Sequence, residues 1–245
     1  MNLRCSYSNT PRSLLRDPKM IRRKMYMDCF QFELIKHDSW ERKEYFDHYF
    51  ASVPCTYCMS FTLDITAIKK ASRKLYPPIL YSIAKVINCR REFRTAFNGS
   101  GQLGFFDKMI PCYTVFHKDT ETFSTIWTEY IEDYKEFYAA YEKDGKLYGS
   151  VHHLEAKPNT PPNVFNVSMI PWESFDGFHL NLQKGFDYLL PIFTLGKYYE
   201  ENGRLLIPFA VQVHHAVCDA YHVCRLKHEV QEILNQLPAE IACEI

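Results

Sequence analysis

The sequence predicts an α+β domain built on a mixed β-sheet. Strand-like and helix-like stretches mingle along the chain without the strict β–α alternation of a doubly wound fold. The 245 residues, 47% of them hydrophobic, suffice for one large core. No internal repeat breaks the chain into like units.

Residues 1–27 stand apart from the rest. Arg4, Arg12, Arg16, Lys19, Arg22, Arg23 and Lys24 oppose only Asp17, and no apolar periodicity accompanies them. Such a segment has the make-up of a transit peptide, a flexible leader or upstream sequence read into the frame, since Met20, Met25 and Met27 each offer a start. It is read here as a disordered basic leader, leaving 28–245 as a single domain.

From Cys29 the pattern changes. Phe30, Phe32 and Leu34 alternate as in a strand. Asp38 to Glu41 resembles a capping box, which predicts a helix over 39–50. Tyr57, Met59, Phe61, Leu63 and Ile65 alternate with Thr56, Cys58, Ser60, Thr62 and Asp64, the mark of a half-buried strand. A short helix is expected at 66–73. Pro77 and Pro78 suit the opening of another, with Ile79, Ile83, Val86 and Ile87 on its apolar face. NGSG at 98–101 is a turn. Cys112–His117 reads as a strand, and the aromatic-rich stretch 124–143 as a long helix ending before Gly145. A loop with Pro158, Pro161 and Pro162 follows. Strands are predicted at 164–170, 189–199 and 204–213, the last two joined at Asn202-Gly203. A closing helix over 220–237 turns Val223, Leu226, Val230, Ile233, Leu234 and Leu237 inward.

Composition narrows the function. Net formal charge is zero and the pI about 7.1, so nothing marks a nucleic-acid surface. The apolar runs are too short to span a membrane. Nine cysteines, scattered apart from the pair Cys55/Cys58 and preceded by no signal-like apolar segment, predict a reducing cytoplasm. Aromatic content of 16% fits either an aromatic core or a pocket for an aromatic ligand.

Among candidate sites, Cys55-Thr-Tyr-Cys58 looks like a zinc or redox CxxC. In a strand, however, its two cysteines point to opposite faces, and no second CxxC completes a zinc site. His152-His153 reads as an exposed loop pair. QVHHAVCDAYHV, at 212–223, sits where a strand turns into a helix, and such junctions hold side chains rigidly at a cleft. Three readings stand for it. His215 acts as a general base with Asp219 fixing the turn. Alternatively His215, Asp219 and His222 bind a metal. Otherwise the group only packs and hydrogen-bonds.

QVHHAVCD at 212–219 resembles the active-site segment of the type A chloramphenicol acetyltransferases. Four further blocks resemble the same family in the same order: WERKEYFDHYF at 40–50, PCYTVFHKDTETFS at 111–124, VSMIPWESFDGFHLNL at 167–182 and PIFTLGKYY at 191–199. The likeness runs from about Met27 to at least Val223. It implies a two-layer α/β sandwich with a large mixed sheet, assembled as a cytoplasmic homotrimer with active sites between subunits. It also implies acetyl transfer from acetyl-CoA to the 3-hydroxyl of chloramphenicol, conferring antibiotic resistance, with no metal. By this similarity His215 is the general base, His214 is structural, and Asp219 pairs with Arg42 to orient the turn. Ser168 donates to the tetrahedral oxyanion with Thr194 nearby. Tyr49, Val53, Phe123, Phe178 and Leu180 match drug-pocket positions, and Lys197 and Tyr198 match positions near coenzyme A.

The residue types suit that chemistry. An alcohol is a poor nucleophile at neutral pH, and a neutral imidazole within reach can take its proton as it attacks a thioester. Strand parity puts Ser168 and Asn166 on the face opposite Phe165, Val167 and Met169.

Three departures from the family pattern are visible. Ala220 replaces the glycine after the aspartate, which would cost about 1–2 kcal/mol if the turn were left-handed. Otherwise its methyl would crowd a neighbouring subunit or helix. Leu226-Lys227-His228 stands where a Phe-rich stretch is usual, and His48 where an aromatic is common. These keep two alternatives open: an acyltransferase for another hydroxyl acceptor, and a catalytically weak drug-binding protein.

Overall fold

The computed structural model describes residues 30–72, 74–182 and 187–242. The basic segment 1–27 lies outside the described residues.

Two sheets carry the fold. A small antiparallel sheet joins β1 (Phe32–Leu34), β3 (Thr95–Phe97) and β4 (Leu103–Phe106), with β4 in the middle. The large sheet contains β2 (Thr56–Asp64), β5 (Ile110–His117), β6 (Thr122–Trp127), β7 (Val164–Met169), β8 (Ile192–Leu195), β9 (Tyr199–Glu201) and β10 (Arg204–His214). Its order is β2-β10-β8-β7-β5-β6, with β9 also on β10. The β5–β7 and β7–β8 pairs are parallel and the others antiparallel, so the sheet is mixed, as predicted.

Helices form the second layer. Tyr76–Cys89 opens on Pro77 and Pro78, where missing amides carry no penalty. Ala220–Ala242 lays Val223, Leu226, Val230, Leu234 and Leu237 into the core against β2 and the Tyr76–Cys89 helix. It runs past the predicted end at 237 and through Pro238.

Three predicted elements are corrected. The helix over 39–50 breaks up: a 3₁₀ turn covers His37–Ser39, an α-helix only Lys43–Asp47, and a π-helical turn His48–Ser52. Asp38 caps nothing, and Arg42 precedes the α-helix. The helix over 124–143 is divided. Residues 122–127 pair with 112–117 as β6, and the helix spans Tyr134–Tyr148, straight through Gly145. It starts at a true cap, Asp133, which accepts from the Glu136 amide at 3.0 Å. The strand over 189–199 is cut at Gly196 into β8 and β9.

Gly196 is needed there because space is closed. A Cβ at this position would lie 2.9 Å from Pro208 Cγ and 3.0 Å from the Phe175 ring. Gly196→Ala is therefore expected to lower stability by about 1–3 kcal/mol, the usual range for overpacking. Thermal melting checks it, and an unchanged midpoint would contradict it. The Asn202-Gly203 turn forms as expected, both residues taking positive φ, 51° and 75°.

Candidate active site

The turn between β10 and the Ala220–Ala242 helix is held by one side chain from far away in sequence. Arg42 donates from Nε to the Ala216 carbonyl at 2.8 Å and from one terminal nitrogen to the His215 carbonyl at 2.8 Å. It also grips both oxygens of Asp219, at 2.6 and 2.7 Å. This bidentate geometry is what a planar guanidinium matches best. The Arg42 hydrogen bonds hold the Asp219 carboxyl below its ordinary value of 3.8, against the opposing effect of burial.

His215 is part-exposed. Its ring stacks on Tyr49 with centroids 3.8 Å apart and meets Tyr57 edge-on at 5.3 Å. Its Nδ1 is buried and faces Asp219 Oδ1 at 3.3 Å, without the alignment of a hydrogen bond. His214 is buried and its Nδ1 accepts the Ala216 amide at 3.1 Å, a structural bond within the turn. Cys218 is buried too, and burial pushes its thiol well up, the opposite of what a thiolate nucleophile needs.

His215, Asp219 and Ala220 share an open pocket of about 560 Å³ with Tyr45, Tyr49, Cys55, Tyr57 and Tyr221. Val53 is exposed just beyond the π-helical turn that carries Tyr49. Of these, Tyr45, Tyr57 and Tyr221 were not expected at the site from sequence, and Cys55 was weighed there only as part of a CxxC. Tyr57 is the most informative: its hydroxyl donates to the Cys218 carbonyl at 3.1 Å and supports the turn from below. Its alternation on β2 marked it as inward, but only the pairing with Val213 brings it under His215.

Ser168 and Thr194 form a second group. Their hydroxyls are 3.0 Å apart across the β7–β8 pair. Ser168 and Asn166 are part-exposed while Phe165 and Val167 are buried, the parity expected, though Met169 at the strand's end is part-exposed as well. Thr194 lies with Phe178, Leu180, Cys58 and Gln212 around a narrow cleft. The segment carrying Phe178 and Leu180 is pinned there: Cys58 donates to the Phe178 carbonyl at 2.8 Å, and the Leu180 amide donates to Gln212 Oε1 at 2.7 Å. Gln212 was not expected at the site from sequence, and Cys58 was weighed only as part of a CxxC. Cys55 and Cys58 indeed face different ways, one to each pocket.

The two groups do not meet within the chain. Thr194 pairs with Ala210 on β10, and His215 follows five positions later, just past the strand's last residue His214. That is roughly 16 Å along the chain. The remaining predicted contacts lie elsewhere again. Phe123 is exposed on β6 opposite Phe116, whose ring packs edge-on against Trp172. Lys197 is exposed, and the Tyr198 ring lies under the Lys69 ammonium at 5.4 Å. His152 and His153 are both exposed in a loop, as expected, and the His152 ring also stacks on the buried His117 at 4.1 Å, whose Nε2 is 2.9 Å from Ser124 Oγ.

This geometry bears on two open readings. Asp219 gives both oxygens to Arg42, and His222 Nδ1 accepts a backbone amide, so the proposed His215–Asp219–His222 ligand set is already engaged. Among the described residues no three His, Cys, Asp or Glu stand together to hold a metal ion. Ala220 is not among the residues with positive φ. It is the exposed first residue of the helix, so the left-handed penalty does not arise. Ala220→Gly is therefore expected to change stability by no more than about 1 kcal/mol and to leave the drug-dependent rate within about threefold. A large gain in rate on this substitution would show that the methyl obstructs the pocket.

The fold is one that acetyltransferases use. A solved chloramphenicol acetyltransferase superposes with a TM-score of 0.71 at 21% identity, covering 83% of this chain and 100% of that one. A dihydrolipoamide acetyltransferase from Azotobacter vinelandii superposes at 0.57 with 15% identity, covering 75% of this chain and 83% of that one. At these identities the likeness is one of fold. Sequence goes further. The chloramphenicol acetyltransferase profile matches residues 30–231. A Clostridium perfringens chloramphenicol acetyltransferase is 61% identical over 204 residues, 83% of this chain and 99% of its own. One from Campylobacter coli is 59% identical over 206 residues, 84% of this chain and 100% of its own. The chain belongs to the chloramphenicol acetyltransferase family.

Proposed function

We propose that this acyltransferase moves the acetyl group of acetyl-CoA to the 3-hydroxyl of chloramphenicol, conferring resistance, in the cytoplasm. The observation that carries the mechanism is the clamped turn, Arg42 on Asp219 and on the His215 carbonyl, with the His215 ring open to a pocket. In this reading His215 Nε2 takes the hydroxyl proton as the hydroxyl oxygen attacks the thioester carbon. The tetrahedral oxyanion is met by the Ser168 hydroxyl, oriented by Thr194. Collapse breaks the carbon–sulfur bond, and the proton on Nε2 goes to the departing thiolate. Tyr49, Val53, Phe123, Phe178 and Leu180 wrap the nitrophenyl end of the drug, while Lys197 and Tyr198 lie along coenzyme A.

The separation of His215, just past the end of β10, from the Ser168–Thr194 pair, roughly 16 Å along the chain, supports a further part of the reading. The base of one copy works with the oxyanion donor of the next, in a cyclic homotrimer whose sites lie between subunits. The test of the activity is thiol release from acetyl-CoA with and without chloramphenicol. Release that ignores the drug would point to another hydroxyl acceptor. Tight drug binding without release would make this a binding protein.

The trimer reading makes its own prediction. Ser168→Ala alone is expected to lower kcat by about 10²–10³-fold, the usual loss of one oxyanion donor. Co-assembly of Ser168→Ala chains with His215→Ala chains is expected to regain activity, because each mixed ring has an interface with both groups intact. A doubly substituted chain mixed with itself regains none. Equal silence in both mixtures would overturn the shared site.

A further inference from the structure

The Ala220–Ala242 helix begins with its capping roles exchanged. The residue before a helix commonly turns its own side chain onto a first-turn amide. Asp219 holds that position, since its carbonyl accepts the His222 and Val223 amides at 2.9 and 3.3 Å. Yet both its carboxylate oxygens face Arg42. A different bond closes the end: the Asp219 backbone N–H donates to His222 Nδ1 at 2.9 Å. This is the return half of a capping box, in which Glu or Gln is the usual acceptor three positions on.

We infer that His222 is a positioning residue for His215: by accepting the Asp219 N–H it fixes the helix entry, which leaves the Asp219 carboxylate free to clamp Arg42 and, through it, the His215 carbonyl. The inference rests on the reading that His215 is the base.

The use of histidine has a physical reason. His222 Nδ1 lies 3.8 Å from Asp219 Oδ2. A glutamate in its place would set a second carboxylate beside Asp219 and compete for Arg42, and Glu92, paired with Arg225, already stands close. A neutral imidazole accepts the amide without adding charge. The groups facing it are Glu92 from the 3₁₀ turn Arg91–Phe93, Arg42 beside the Lys43–Asp47 helix, and Asp219 and Arg225 on its own segment, with the Tyr221 ring alongside. Burial is the largest influence and holds His222 below its ordinary value of 6.5. The sign follows. The cap is intact above 6.5 and is lost as pH falls through the lowered folded-state value, where a protonated ring would face the Asp219 amide donor to donor.

Two variants test this. His222→Phe keeps a ring without an acceptor, and His222→Gln keeps an acceptor that does not titrate. Each is compared with wild type for kcat, for KM toward chloramphenicol, for kcat/KM between about pH 5 and 8, and for hydrogen exchange at the Asp219 amide. The Phe variant is expected to lose about five- to tenfold in kcat with little change in KM, and its Asp219 amide to exchange faster by a similar factor. The Gln variant is expected to recover most of the rate. Its rate should fall less steeply than the wild type's as pH drops below 6.5, because its cap does not protonate.

Unchanged kcat and unchanged Asp219 exchange in His222→Phe would overturn the inference, as would a Gln variant impaired as badly as the Phe variant. If His222→Phe does not fold, the shape of the acid limb in His222→Gln decides. If the wild type itself releases no thiol with the drug, the proposed reaction fails separately, and amide exchange still decides whether His222 holds the turn.

Discussion

His215→Ala is expected to lower chloramphenicol-dependent thiol release by about 10²–10⁴-fold, the usual contribution of a positioned general base. In the proposed mechanism the loss belongs in kcat, because the ring acts by proton transfer during attack. Stability should change little. The ring is part-exposed, it stacks on Tyr49 at the rim of an open pocket, and its Nδ1 makes no hydrogen bond whose loss would strand a partner. The turn keeps its clamp, since Arg42 bonds the backbone carbonyl of residue 215 and not its side chain. A folded variant retaining activity within about tenfold of wild type would remove His215 from the base role and reopen the packing reading of the HxxxD turn.

Arg42→Ala is expected to damage stability and rate together. One guanidinium serves the Asp219 carboxylate and two carbonyls, and its loss leaves all three groups with water or nothing. The pair is neither a surface pair nor a buried one, with side chains 15% and 35% exposed. Its loss should fall between the roughly 0–1 kcal/mol of exposed pairs and the roughly 3–5 kcal/mol of buried ones, so about 2–3 kcal/mol. For a chain of this size that is a Tm lower by roughly 5–10 °C. Arg42→Lys should recover less than half of it, because an ammonium cannot bridge both oxygens and two carbonyls at once. The pH dependence has a definite sign. Arg42 lowers the Asp219 carboxyl below its ordinary 3.8, so the pair's stabilisation is present above 3.8 and fades as pH falls through the lowered value. The gap in Tm between wild type and Arg42→Ala should therefore narrow in acid. A constant gap would show that Arg42 acts through the carbonyls alone.

Some of this was legible in the chain. The alternation over 56–65 gave β2, and the apolar stripe from Val223 to Leu237 gave the closing helix. Asn202-Gly203 gave its turn because both residues tolerate positive φ. These are signals that local backbone physics sets. The stretch 122–127 misled because its aromatic residues fit a helical period as well as a strand. What makes it a strand is the ladder with 112–117, a contact no local pattern contains. The helix over 39–50 failed for a related reason. Arg42 is drawn to a turn over 170 residues away, and the chain around it is shaped by that bond.

The sequence by itself determined the chemistry available: a histidine at a strand-to-helix turn with an aspartate four positions on, and a serine on the polar side of β7. Tertiary structure decided which of these meet. The register that sets Ala210 beside Thr194 also carries His215 five positions further along, and so parts the His215 ring from the Ser168 hydroxyl within one chain. Register depends on pairing between distant segments, and a single-residue slip would turn every side chain to the other face. The separation of the two half-sites is therefore invisible until the sheet is assembled.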